Sequence, residues 1–255
     1  MLPAMARKLR SAAGGVVYHV LNRAVGRGTL FEDEGDYAAF EKVLAETVER
    51  TRIRLLAYCL MPNHWHLLVW PKADGQLSTF MRLLAVTHVR RWHEHRRTVG
   101  TGPLYQGRFK SFPVQDDRHL LVVARYVERN ALRANLARWA TAWRWSSLWR
   151  RAHAAADSPW LLPQGRWPVR TPRDPDDWEA FVQEPATDAE LEAIRRCTFR
   201  GAPFGRPEWV ARTARRLNLE SSLRPRHRPK KPRPPGGAAK ANRPGTARKV
   251  HQKDS

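Results

Sequence analysis

The sequence is poor in cysteine, poor in acidic residues and without a long apolar run. Its 255 residues include two cysteines, Cys59 and Cys197, which are too few for a disulfide framework and favour a reducing compartment. No apolar run approaches the ~18 residues that a membrane-spanning helix needs, so no membrane partner is expected. The start of the chain has basic residues but no hydrophobic stretch, which argues against a secretory signal. These absences predict a cytoplasmic protein.

Acidic residues are scarce relative to basic ones. The chain has 46 Lys and Arg against 24 Asp and Glu, which gives a net charge of +22. Residues 224–255 carry +10 of this charge, and the remaining +12 belongs to the body of the chain. A basic body indicates a polyanionic partner, most often nucleic acid, and therefore a nucleoid-associated location. The alternative is a basic protein whose charge serves only its solubility.

The hydrophobic pattern of residues 14–137 predicts alternating strands and helices. Strands are expected at the start of 14–28, over 52–61 and 64–70, and at the end of 102–115. Helices are expected over 33–51, 75–95 and 116–137, where apolar residues recur at helical intervals. The order β-α-β-β-α-β-α predicts an α+β ferredoxin-like sandwich, in which helices pack on one face of an antiparallel sheet.

Composition divides the rest of the chain. We predict a main domain over 10–150 and a linker over 151–187, which is rich in Pro and Asp. Residues 188–222 regain helical periodicity, which predicts a small helical segment that resembles a DNA-binding module. Residues 223–255 are low in apolar residues and high in charge, which predicts a disordered basic tail.

Two histidines stand one residue apart inside the apolar stretch "CLMPNHWHLLVWP". In a strand, residues i and i+2 share a face, so His64 and His66 can direct both rings to one point while Trp65 faces the other way. This geometry suits one metal ion held by two neutral imidazoles. Two ligands are too few for a structural zinc site. The alternative is a hydrogen-bonded pair of half-buried histidines.

The stretch "ARYVERN" supplies two further candidates. Tyr126 and Asn130 are one helical turn apart, so they share a helix face. The Asn130 carbonyl could complete a three-ligand metal site with His64 and His66. The Tyr126 phenol could then meet a phosphate held at that metal. Alternatively, Tyr126 only packs against the sheet.

Several separated stretches together resemble one known family, the single-tyrosine HUH transposases (IS200-like), and in particular the REP-associated tyrosine transposases. The stretches are 18–33, 59–71, 105–114 and 126–136, and "FRGAPFGRPEWV" near the C-terminus is also similar. The resemblance implies a ferredoxin-like HUH endonuclease fold, with Tyr126 as the nucleophile. It also implies that His64, His66 and Asn130 bind Mg²⁺ or Mn²⁺. The implied reaction is cleavage and rejoining of single-stranded, hairpin-forming DNA through a 5′-phosphotyrosine intermediate.

A strand of DNA needs phosphate contacts and base contacts. Four basic residues near the expected site are the candidates for phosphate contacts: Arg23, Arg27, Arg108 and Lys110. Tyr105 and Phe109 are candidates for base stacking, although core packing is favoured for Phe109. The other functions that remain open are a non-catalytic DNA-binding regulator or architectural protein and an RNA-binding module. The protein is expected to act as a monomer or a homodimer.

Overall fold

The computed structural model describes residues 12–172 and 174–224. The strands are β1 (Val17–Arg23), β2 (Arg54–Met61), β3 (His64–Trp70) and β4 (Lys110–Val114). The helices are α1 (Glu34–Thr51), α2 (Gln76–Arg96), α3 (Arg118–Glu128), α4 (Asn130–Arg133), α5 (Ser147–His153), α6 (Pro175–Gln183), α7 (Asp188–Arg200), α8 (Pro207–Arg216) and α9 (Glu220–Leu223). No helix in these ranges has the length and apolar character needed to cross a membrane.

The four strands form one antiparallel sheet in the order β2-β3-β1-β4. β2 and β3 are a hairpin closed by Pro62 and Asn63, as the sequence predicts. The register between β1 and β3 places Arg23 opposite His64 and Leu21 opposite His66. The predicted α+β ferredoxin-like sheet is therefore confirmed, and the histidine motif lies on β3, one of its two central strands.

Both faces of the sheet are covered, which corrects the prediction of helices on one face. On one face Trp65 belongs to a buried cluster with Phe40 of α1 and Phe80 of α2. On the other face Leu68 belongs to a cluster with Val123 of α3, and α6 and α7 also contribute to this cluster. The reason is that the strands are apolar on both sides, so exposing either side to water would cost free energy.

Segments that follow α4 cover both edges of the sheet. Leu161 and Ser146 pair with the outer edge of β2, and Phe204 pairs with the outer edge of β4. These pairings satisfy backbone groups that an open edge would leave free. Residues 151–172 and 174–187, which the sequence analysis treats as a linker, contain α6 and bury Trp167 and Trp178 in the same core.

The C-terminal part of the described chain is helical. Helices α7, α8 and α9 occupy the segment predicted as small and helical. α7 begins with a capping box: the Thr187 hydroxyl accepts a hydrogen bond from the Glu190 backbone N–H, and the Glu190 carboxylate accepts one from the Thr187 backbone N–H. The chain from 12 to 224 falls within one compact unit. Residues 10–11 of the predicted main domain and residues 225–255 of the predicted tail lie outside the described residues.

The predicted helix 116–137 is interrupted. α3 ends at Glu128, Arg129 has φ −85° and ψ 2°, and the short helix α4 begins at Asn130. Tyr126 therefore lies in the last turn of α3, and Asn130 begins a separate helix. The i and i+4 relation between them does not lie within one continuous helix.

Candidate active site

His64 and His66 share a face of β3, as the i and i+2 spacing predicts. Their ring centroids are 5.0 Å apart, with the ring planes at 79° to each other. His66 is buried at the centre of the sheet, and His64 is half-buried near the hairpin turn. Both side chains line a cleft with a volume of about 620 Å³.

Burial keeps both imidazoles neutral near neutral pH. Burial, helped by the charges of Arg23 and Arg133, lowers the pKa of His64 to about 4. Burial lowers the pKa of His66 well below its usual value, and the neighbouring His19 and His64 act in the same direction. A neutral imidazole with an available nitrogen is the form that binds a metal ion.

One ring nitrogen of each histidine is already engaged, which orients the rings. The Nδ1 of His64 is 2.6 Å from the Asn63 side-chain oxygen, so this nitrogen carries the proton and donates it. The Nδ1 of His66 is 2.9 Å from the Nε2 of His19, which is fully buried on β1 behind the cleft. A hydrogen-bond partner on one ring nitrogen of a metal-binding histidine fixes the orientation and the tautomer of that ring. In His64 the lone pair is therefore on Nε2, the nitrogen that can bind a metal.

Tyr126 faces the histidine pair from α3. Its ring meets the His66 ring edge-on, with the centroids 5.6 Å apart, and meets the His19 ring at 6.1 Å. The side chain is 9% exposed and lines the same cleft. Residues on a strand of the sheet and on a packed helix are thus brought together in the fold.

Asn130 lies beside this group but does not line the cleft. The residue is fully buried, and its side-chain oxygen accepts a hydrogen bond from Arg133 at 3.0 Å. Its amide nitrogen is buried without a hydrogen-bond partner among the described residues. The Arg133 guanidinium also stands over the Tyr126 ring, 5.5 Å from its centroid. Arg133 thus links the proposed third ligand to the proposed nucleophile.

Cations dominate the cleft. The residues that line it, all within the described ranges, include no carboxylate and five cations: Arg23, Arg108, Lys110, Arg133 and Arg195. The Nε of Arg23 is buried without a hydrogen-bond partner among the described residues. Three of the four predicted phosphate-binding residues are in this group, whereas Arg27 is exposed on a turn outside the cleft. An anion is the ligand that such a cleft favours.

The candidates for base stacking lie mainly in the core. Tyr105 is buried, and its hydroxyl bonds to the Trp65 indole at 3.0 Å and to His88 at 2.6 Å. Phe109 is partly buried against the same core cluster. Tyr105 therefore anchors the loop that carries Gln106 and Arg108, and its ring is not available to a ligand.

Sequence reasoning missed several residues of the site. His19 reaches His66 only through the register of β1 against β3, and a single strand pattern does not reveal that register. The place of Arg133 beside Asn130 could have been inferred, because it lies three residues after Asn130 in a helical segment. Arg195 and Phe199 of α7 line the cleft although more than 60 residues separate them from Tyr126, and their place depends on tertiary packing.

The histidine pair fits a divalent metal better than the third predicted ligand does. Both imidazoles are neutral and oriented, which is the donor set expected for an open site with room for water and substrate oxygens. Over residues 12–172 and 174–224, no group of three or more His, Cys, Asp and Glu side chains could hold a metal ion. The side-chain oxygen of Asn130, the third predicted ligand, is already bonded to Arg133.

Residues 13–130 match the model of the family described as "Transposase IS200 like". This part of the chain is therefore similar to the IS200-like transposases. The match spans the sheet, the histidine pair and Tyr126, and it ends at Asn130. Arg133 and the whole of α5 to α9 lie beyond the matched residues.

Solved structures give weaker likenesses to the chain. A REP-associated tyrosine transposase bound to a REP hairpin is 16% identical, with a TM-score of 0.46, and the match covers 72% of this chain and 99% of that one. A putative transposase from Deinococcus radiodurans R1 is 18% identical, with a TM-score of 0.34, over 51% and 92% of the two chains. Both TM-scores are below 0.5. No curated protein matches the chain.

Proposed function

We propose that this protein is a metal-dependent transposase that cleaves and rejoins single-stranded, hairpin-forming DNA through a 5′-phosphotyrosine intermediate. One observation carries the proposal. A tyrosine on a helix faces two neutral, oriented histidines across a cleft that cations line. The match of residues 13–130 to the IS200-like transposase family supports the same interpretation.

In this proposal the cations bind the DNA backbone and the histidines hold the metal. Arg23, Arg108 and Lys110 neutralise phosphates along the cleft. His64 and His66 would hold Mg²⁺ or Mn²⁺, with Asn130 as the expected third ligand. When bound, the metal supplies Lewis-acid polarisation of the scissile phosphate.

Tyr126 is the nucleophile of the proposed reaction. Its hydroxyl oxygen attacks the phosphorus, a tyrosine–phosphate bond forms, and the bond to the 3′ oxygen of the preceding nucleotide breaks. A phenol is largely protonated near neutral pH, so its proton leaves to water in the cleft as the new bond forms. The 3′ oxygen takes up a proton and becomes a free hydroxyl. Rejoining reverses these steps with a 3′ hydroxyl as attacking group, and needs no ATP because the covalent link keeps the bond energy.

The first prediction tests the nucleophile. Tyr126→Phe removes only the phenolic oxygen, so we expect it to abolish the covalent protein–DNA adduct while hairpin binding changes by less than about twofold. The measurement is incubation with hairpin-bearing DNA from the flanks of the gene and Mg²⁺, followed by a denaturing gel. Tyr18→Phe is the matched control, because Tyr18 lies on the opposite face of the sheet.

Two outcomes would change the proposal. An adduct formed by the Tyr126→Phe variant at the normal rate would show that another residue is the nucleophile. If the unmodified protein bound the hairpin tightly but formed no adduct with Mg²⁺ or Mn²⁺, the non-catalytic DNA-binding regulator would become the better interpretation.

A further inference from the structure

Helix α7 presents one stripe of side chains to the cleft and another to the core. Arg195, Thr198 and Phe199 line the cleft, and their i, i+3 and i+4 spacing places them on one helix face. Ile194 and Cys197 are buried against the body of the protein. The exposed stripe therefore results from the way in which the helix is packed.

α7 is firmly attached next to the candidate nucleophile. Glu190 in its first turn pairs with Arg125 of α3 at 2.7 Å, and the Arg125 side chain is only 7% exposed. Beyond the C-terminus of α7, the backbone of Phe204 exchanges hydrogen bonds of 2.9 Å with Pro113 and Gln115 at the end of β4. Attachment at both ends fixes α7 between α3 and β4. The position of Arg195 and Phe199 is therefore set before any ligand binds.

Phe199 combines exposure with a cationic neighbour. Its side chain is 61% exposed, and the Lys110 ammonium lies 5.6 Å from its ring centroid. Phe199, Thr198 and Lys110 also line a second cavity of about 240 Å³, so they stand where the two cavities adjoin. An exposed aromatic ring beside cations that can contact phosphates is the arrangement that binds unpaired bases.

We propose that α7 forms a second wall of the strand-binding cleft, where Phe199 stacks on an unpaired base and Arg195 contacts a backbone phosphate. The ligand is a single strand with at least one base free of pairing. The charge of the cleft supports this choice, because five cations and no carboxylate line it within the described part of the chain. The identity of the strand as DNA rests on the proposed function. The wall extends the site beyond residues 13–130.

The test compares two probes that differ only in their bases. One is a fluorescent oligothymidine of about 12 nucleotides, within the usual size of a single-strand site. The other has the same backbone with every base replaced by an abasic tetrahydrofuran unit. Fluorescence anisotropy gives the dissociation constant of each probe for the full chain and its variants.

Phe199→Ala should weaken oligothymidine binding about tenfold and leave the base-free probe nearly unchanged, because it removes only a stacking surface. Phe199→Tyr should keep most of the affinity, since it keeps the ring. Arg195→Ala should weaken both probes by a similar factor. It should also lower the slope of log affinity against log salt by about 0.7, as expected for one lost contact to a single strand.

Two control variants match these residues away from the cleft. Trp139 is also 61% exposed, and Arg196 is the exposed neighbour of Arg195, but neither lines the cleft. Trp139→Ala and Arg196→Ala should bind both probes as the unmodified protein does. Thermal unfolding by circular dichroism checks that all variants are folded.

Several results would overturn the inference. They are unchanged oligothymidine binding by Phe199→Ala, an equal loss on both probes, a loss of the same size in Trp139→Ala, or no binding of oligothymidine by the unmodified protein. Adduct formation by Tyr126 is measured separately. A base-dependent effect of Phe199 without any adduct would support the wall and remove the proposed cleavage. If the protein formed an adduct but Phe199→Ala did not weaken oligothymidine binding, the proposed cleavage would be supported and the wall would be removed.

Discussion

At the scale of single residues, the two histidines depend on neighbours behind the cleft for their chemical state. The side-chain oxygen of Asn63 is hydrogen-bonded to the Nδ1 of His64, and the Nε2 of His19 is hydrogen-bonded to the Nδ1 of His66. Burial lowers the pKa of each ring, so both remain neutral where a metal would bind. The spacing of His64 and His66 predicted their shared face because strand alternation is a local property. The role of His19 could not be predicted, because it depends on strand register.

The second prediction concerns the histidine pair. His64→Ala and His66→Ala each remove one imidazole ligand, so we expect adduct formation to fall at least about a hundredfold, in line with the several kcal/mol that a metal supplies. Electron paramagnetic resonance of Mn²⁺ should show weaker metal binding in both variants. EDTA should stop the reaction of the unmodified protein.

The exposed histidine His95 provides the control. His95→Ala should keep normal metal binding and normal adduct formation. Full activity of the unmodified protein in EDTA would remove the metal from the proposal and leave the pair as buried, hydrogen-bonded histidines.

At the scale of elements, one buried carboxylate joins three helices on the Tyr126 side of the sheet. Glu128, the last residue of α3, is fully buried. It accepts hydrogen bonds from Ser147 of α5 at 2.5 Å and from the Trp178 indole of α6 at 2.8 Å, and it pairs with Arg151 of α5. A buried charge held by several donors orders the elements that supply them. The end of α3, two residues after Tyr126, is therefore fixed by α5 and α6.

Local patterns explain which elements could be predicted. β1, β2, β3, α1 and α2 have clear periodicity, and their predicted positions agree with the structure to within a few residues. α6 could not be predicted, because Trp178 and Val182 are its only buried residues and Pro and Asp surround it. The break at Arg129 was missed as well, because residues on both sides of it favour helix. Tertiary contacts decide both features.

The third prediction concerns the Glu128 network. Glu128→Ala leaves the Arg151 charge without its partner, so we expect the free energy of unfolding to fall by about 3–5 kcal/mol. Trp178→Phe removes a single donor and should cost about 1–3 kcal/mol. Urea unfolding followed by circular dichroism measures both.

Glu192→Ala is the control, because Glu192 is exposed on α7. It should change the free energy of unfolding by less than about 0.5 kcal/mol. If Glu128→Ala were as stable as this control, the network would not hold the helices together.

At the scale of the whole molecule, positive charge is present in both the body and the C-terminal residues. The body carries +12, and part of it lines the cleft as five cations from separate parts of the chain. The sequence predicts this excess of charge directly. It does not predict the concentration of cations at one cleft, because Arg23, Arg133 and Arg195 meet only through folding. The +10 of residues 224–255 is a property of the sequence alone.

The fourth prediction separates the affinity that this C-terminal charge provides from the choice of site. A chain that ends at Leu223 lacks +10, so it should bind hairpin and random single-stranded DNA more weakly by similar factors. The slope of log affinity against log salt should fall by about 0.7 for each lost phosphate contact. The position of cleavage should not change, because in the proposed reaction Tyr126 and the histidines select the phosphate. A chain with residues 224–255 in shuffled order keeps the charge and should bind as the intact chain does. The truncation could instead weaken binding to hairpin DNA alone, without any recovery of that binding in the shuffled chain. This result would show that residues 224–255 recognise a DNA sequence.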